Sequence, residues 1–185
     1  EQLETGGHPG RERHVGVRAV RIAVQLAHRL RPARHRVEDG ALRLAVDLGD
    51  AGATRACFDR IGRVDGVFNL AGGFTMGPRT WEVADDEWAQ MYRINVATMQ
   101  NAVRAAVPGM IERKNGSIII VSSIGGLRGS PIIGAYCISK AADMQLARNL
   151  AVEYGPYNVR VNCIAPGLIR TDFARALWED EAMLS

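Results

Sequence analysis

The chain has 185 residues, a mass of 20.1 kDa and a formal net charge of +3, with 47% hydrophobic and 23% charged residues. That length suits one domain with a sizeable core, and the composition excludes a low-complexity or fibrous chain. Three widely spaced cysteines (Cys57, Cys137, Cys163) without a CxxC pair argue against a disulfide framework or a thiolate zinc site, and no apolar run is long enough to span a membrane.

Together with an N-terminus that lacks a signal-peptide layout, these features predict a cytoplasmic protein. Residues 11–36 hold eight arginines and three histidines against one acid, Glu12. We read them as an amphipathic helix with a solvated arginine face, with nucleic-acid binding the least favoured alternative. Next, "LRLAVDL" (42–48) reads as a strand, residues 51–61 as a short helix and "VDGVFNL" (64–70) as a second strand. Residues 84–116 read as a long helix, with Asp85 as N-cap, Gly116 just past the end, and Pro108 kinking or ending its last turns. In "GSIIIVS" (116–122) the run Ile118–Val121 shows no polar alternation, which predicts a strand buried on both faces, as in a parallel sheet. Residues 134–156 give a further helix, stopped by Gly155-Pro156, and "VRVNCIA" (159–165) the last strand. Alternating strands and helices predict a single-domain α/β fold of the Rossmann-like, doubly wound parallel type.

Such folds bind ligands beyond the carboxyl ends of their strands. After "VFNL" comes "AGG" (71–73), after "IIIVS" comes Ser123 with Gly125-Gly126, and after "NCIA" comes Pro166-Gly167. Three small-residue or hydroxyl-bearing loops on one sheet edge point to a cofactor crevice. On the predicted 134–154 helix, Tyr136 and Lys140 stand at i and i+4, in a chain with 21 arginines and only two lysines. A free phenol titrates near pH 10, and a neighbouring ammonium favours the phenolate. The pair therefore predicts a tyrosine with a lowered pKa, usable as a general acid or base. The four histidines have no carboxylate or cysteine at ligand spacing, so we expect no metal site.

From about Asp47 to Trp178 the chain resembles a short-chain dehydrogenase/reductase, and its stretch "NCIAPGLIRTDFARALW" (162–178) resembles the carbonyl-reductase-like branch. The resemblance rests on "NLAGG" (69–73), Asn95 in "RINVAT", Ser123 in "VSSIGG", Tyr136 and Lys140 in "YCISK", and "PGLIRT" (166–171). It implies NAD(P)-dependent hydride transfer between nicotinamide and a ketone or secondary alcohol. Asn95, Ser123, Tyr136 and Lys140 would be catalytic. Tyr136 would exchange the proton and Ser123 would hold the substrate oxygen. Lys140 would tune Tyr136 and bond the nicotinamide ribose, and Asn95 would hold a water leading to solvent. Asn69, Ala71 and Gly72 would pass against the cofactor ribose, Asp47 would reach the adenine, and Pro166, Gly167, Ile169 and Thr171 would hold the carboxamide end. The resemblance also implies a small-molecule substrate and a homo-oligomer, dimer or tetramer, formed through the two long helices.

Residues 1–40 depart from the family pattern. The nearest match to its TGxxxGxG phosphate loop is "TGGHPGRE" (5–12), where Glu12 replaces the last glycine and Pro9 lacks an amide to donate. We therefore expect an atypical Arg-rich segment (1–40) ahead of a dehydrogenase core (41–185), with the family's first and last strands missing. Either NAD or NADP fits. The alternative is a non-catalytic remnant that holds no dinucleotide.

Overall fold

A computed structural model describes residues 44–77 and 79–170. Four helices and three strands alternate: α1 (Ala51–Ile61), β1 (Gly66–Asn69), α2 (Asp85–Met91), α3 (Thr98–Glu112), β2 (Gly116–Val121), α4 (Gly134–Tyr154) and β3 (Val159–Ile164). The strands form one parallel sheet in the order β1-β2-β3, with Val67, Ile118 and Val161 in register. Parallel strands joined by helices make a Rossmann-like α/β fold.

One side of the sheet carries the core. Val67, Ile118, Ile120, Val159 and Val161 meet Phe58 of α1, Met99, Val103 and Met110 of α3, and Leu150 of α4 in a single apolar cluster. The opposite side presents Phe68, Ile119, Val121 and Ile164, which are half-buried or exposed. The described helices therefore form one layer, and the expected burial of 116–122 on both faces holds for one face only.

Three local expectations are corrected. The described part of 42–48, residues 44–48, is not a strand, and side chains take the carbonyl at its end. The Leu48 carbonyl accepts from Asn101 Nδ2 at 2.8 Å and from Thr54 Oγ1 at 3.3 Å. Asp50 then caps α1, its Oδ1 accepting from the Ala53 amide at 2.7 Å.

At the start of α2 the N-cap is Ala84, so Asp85 falls one residue inside. There Asp85, Asp86 and Glu87 face the positive end of the helix dipole. The helix also ends before Gly116: Arg113 is its C-cap, Lys114 takes the left-handed conformation (φ 50°) that glycine usually fills, and Gly116 opens β2. Between α2 and α3 the helix widens into a π turn over Tyr92–Ala97, and α3 then runs through Pro108 to Glu112 without ending there. At the far end of α4 the stop is as expected, a 3₁₀ turn at Gly155–Tyr157. Among the described residues no helix is long and apolar enough to cross a membrane.

Candidate active site

Loops after all three strands meet beside the N-terminal half of α4. The Ser122 amide bonds the Ile164 carbonyl at 2.8 Å and the Ile124 amide bonds the Pro166 carbonyl at 2.9 Å, which ties the second loop to the third. The first loop is tied in by Asn95. Its fully buried side chain accepts from the Gly73 amide (2.9 Å) and donates to the Gly73 carbonyl (3.0 Å) and to Ser139 Oγ (2.8 Å). Ser139 in turn donates to the Tyr136 carbonyl at 2.7 Å. One buried relay thus runs from the loop after β1, through the π turn, to the helix bearing Tyr136.

Two glycines let these parts close up. A Cβ on Gly72 would stand 2.7 Å from Asn95 Oδ1 and 3.3 Å from Lys140 Nζ. One on Gly126 would stand 2.8 Å from the Lys140 carbonyl carbon and 2.9 Å from the Ala141 nitrogen. Ser122 completes the seam, its Oγ donating to the Lys140 carbonyl at 2.8 Å.

Within this frame the Ser123 hydroxyl is in hydrogen-bonding reach of the Tyr136 phenol, and Lys140 Nζ lies 6.0 Å from the centre of that ring. Phe74 meets the same ring edge-on at 6.0 Å. Burial pushes the phenol above its ordinary range; the bond to Ser123 pulls it back, while Cys137 and Asp143 push further upward. The expected lowering is therefore reversed. Lys140 is not free to act on the phenol alone, because its ammonium donates to Asp143 Oδ2 at 3.0 Å and to the Val121 carbonyl at 3.2 Å. The Asn95 side chain is likewise committed to Gly73 and Ser139, so its observed part is to clamp a loop.

The remaining candidates are more dispersed. Asn69, at the end of β1, and Ala71, in the first loop, are buried. Asp47 is partly exposed, with Oδ1 accepting from the Gly49 amide at 2.8 Å and Oδ2 paired with Arg93 in the π turn. Pro166 and Gly167 lie beside Ile124, and Ile169 is exposed. Thr171, the loop at 5–12, the histidines and Trp178 lie outside the described residues. Trp81 is 75% exposed, with the Arg79 guanidinium over its ring.

Sequence reasoning missed Ser122, Ser139, Arg93 and Asp143. Of these only Asp143 carried a signal, since it stands three residues from Lys140 on one helix. Among the described residues no cluster of three histidine, cysteine or acidic side chains gathers as metal ligands would.

The profile of the short chain dehydrogenase family matches residues 14–182. The chain belongs to that family. Among curated members of this oxidoreductase family, the dehydrogenase/reductase SDR family member 4 of Bos taurus is 48% identical over 101 residues, which are 55% of this chain and 36% of that protein. A short-chain type dehydrogenase/reductase of Sinorhizobium fredii is 34% identical over 142 residues, 74% of this chain and 56% of its own. Solved short-chain dehydrogenases share the fold. A gluconate 5-dehydrogenase from Burkholderia cenocepacia in complex with NADP and tartrate matches with a TM-score of 0.73 and 28% identity, covering 77% of this chain and 57% of that one. A 3-oxoacyl-[acyl-carrier protein] reductase from Brucella melitensis with bound NAD matches with a TM-score of 0.67 and 37% identity, covering 71% and 53%. The chain thus spans between about a third and three fifths of the length of these relatives.

Proposed function

We propose that this short-chain dehydrogenase moves a hydride between a nicotinamide dinucleotide and a ketone or secondary alcohol, with Tyr136 as the general acid and base. The observation that carries the reading is the meeting of Ser123, Tyr136 and Lys140 where three strand-end loops converge. The gluconate and 3-oxoacyl relatives, with bound NADP and NAD, support a dinucleotide of either kind. The described residues fit its nicotinamide end: small residues line the loop at 71–73, and Lys140 lies against Gly72. A bound nicotinamide would supply or take the hydride.

Around it the chain's own groups divide the work. Tyr136 gives its proton to the carbonyl oxygen in reduction and removes it from the alcohol in oxidation. Ser123 donates to the same oxygen as charge develops there. Lys140 bonds the ribose and holds positive charge near the phenol, while Asn95 keeps Gly73 in place. Asn69, Ala71 and Gly72 receive the ribose side, Asp47 the adenine, and Pro166, Gly167, Ile169 and Thr171 the carboxamide. With its pKa held high, Tyr136 carries its proton at neutral pH, the state that reduction needs. The partner is a small molecule, and Ile138 and Val152, exposed on α4, suit a homo-oligomer.

Tyr136→Phe is expected to lower kcat by roughly 10²–10⁴-fold while NADH and NADPH fluorescence titrations stay near wild type. A full-rate Phe variant would refute the assignment. The departure of 5–12 from the phosphate-loop pattern supports a second reading, a remnant without dinucleotide binding. Wild type that quenches neither NADH nor NADPH fluorescence would favour it.

A further inference from the structure

Lys140 points into the protein. Its side chain is 6% exposed, and its ammonium is held between the Val121 carbonyl at the end of β2 and Asp143, one turn further along α4. Asp143 is more deeply set, at 2% exposure, and its second oxygen, Oδ1, is buried with no hydrogen-bond partner among the described residues. A buried carboxylate with an unmatched oxygen is costly, and replacing such an ion pair by apolar packing is often neutral or stabilising. Fold stability therefore does not account for a carboxylate here, and the roles given to Ser123, Tyr136 and Lys140 leave it unused.

We infer that Asp143 is a positioning residue: its carboxylate anchors the Lys140 ammonium against β2 and offsets part of that charge, so that Asp143 sets the pH at which Tyr136 changes protonation. The catalytic consequence rests on the dehydrogenase reading, whereas the anchor is a property of the chain alone.

Among the described residues the groups around the pair are few. On α4 they are Tyr136 and Cys137, on β3 Cys163, and in the loop after β2 the neutral hydroxyls of Ser122 and Ser123. Arg148 acts on Cys163 from further along α4. Asp143 pushes the Tyr136 phenol and the Cys163 thiol upward, and Lys140 opposes it at Cys163. Burial lifts Asp143 itself to about 6 against the pull of Lys140. Above that pH the ammonium is anchored and partly offset; below it Lys140 loses its charged partner and acts on the phenol unopposed.

Asp143→Asn, made in the full chain, keeps the shape and removes the charge. Absorbance titration of Tyr136, isolated by subtracting the Tyr136→Phe chain, is expected to move to lower pH by on the order of half a unit. In kcat/KM profiles the limb governed by Tyr136 should move the same way, and a wild-type inflection near pH 6 should vanish. Asp143→Glu, which keeps the charge, should retain that inflection. A Tyr136 titration unmoved by Asp143→Asn overturns the inference. So does a pair of variants that lose activity equally with the profile unchanged in shape. If Asp143→Asn does not fold, Asp143→Glu decides: a retained inflection supports the inference and a lost one overturns it. Because the absorbance titration needs no turnover, a chain inactive in every form sinks the dehydrogenase reading alone.

Discussion

Gly126 is where the loop after β2 comes closest to the backbone of α4. The atoms a side chain would strike there, the Lys140 carbonyl and the Ala141 nitrogen, belong to a helix backbone that cannot rotate away. Gly126→Ala is expected to destabilise the chain by about 1–3 kcal/mol in denaturant unfolding and to lower turnover by displacing Lys140. Gly125→Ala is the milder neighbour, because its Cβ would meet the Cys137 sulfur at 3.2 Å, a side-chain contact that can give. Equal stability of Gly126→Ala and wild type would contradict the close approach. That Ser123, Tyr136 and Lys140 come near one another was legible from the i, i+4 spacing on one helix and from the loop that follows a strand end. The direction of the Tyr136 shift was not, since it depends on burial and on what else Lys140 touches. Asp143, three positions from a lysine, reads in sequence like any surface ion pair; only its depth makes it unusual.

At the scale of elements, α1, α4 and the three strands were legible from apolar periodicity and flanking glycines. The segment 42–48 read as a strand, yet its described residues pair with no described strand, and Thr54 and Asn101 occupy the Leu48 carbonyl. The π turn carrying Asn95 has no sequence signature. It forms where packing aims Asn95 at Gly73, and such turns gather at functional sites. Pro108 was expected to kink or end the last turns of α3; the helix does not end there, and the proline lies on the exposed side, where water can serve the carbonyl left without its amide partner. Pro108→Ala should restore that bond and stabilise the chain by about 1–2 kcal/mol. A thermal midpoint raised by a few degrees would confirm it, and an unchanged or lowered one would show that the helix already bends to suit the proline.

At the largest scale, the described residues place their core and candidate site on one side of the sheet, the core against the middle of the helices and the site at the strand ends. Its response to pH should carry the mark of Asp143. That carboxyl binds its proton more tightly folded (about 6) than unfolded (3.8), so its contribution to stability is full below about pH 4 and is lost as pH rises through 6. The loss is on the order of 3 kcal/mol. Urea unfolding at pH 4.5 and 7 should show wild type losing ground to Asp143→Asn over that interval. A gap of constant size at both values would mean that the carboxyl is not strained by burial. Asn95, by gripping Gly73 on both its amide and its carbonyl, has a consequence of another kind. The candidate site is braced upstream of Phe74, and the exposed rim that bears Trp81 takes no part in that brace. A descendant could exchange that rim for one shaped to a different molecule and inherit the brace unaltered.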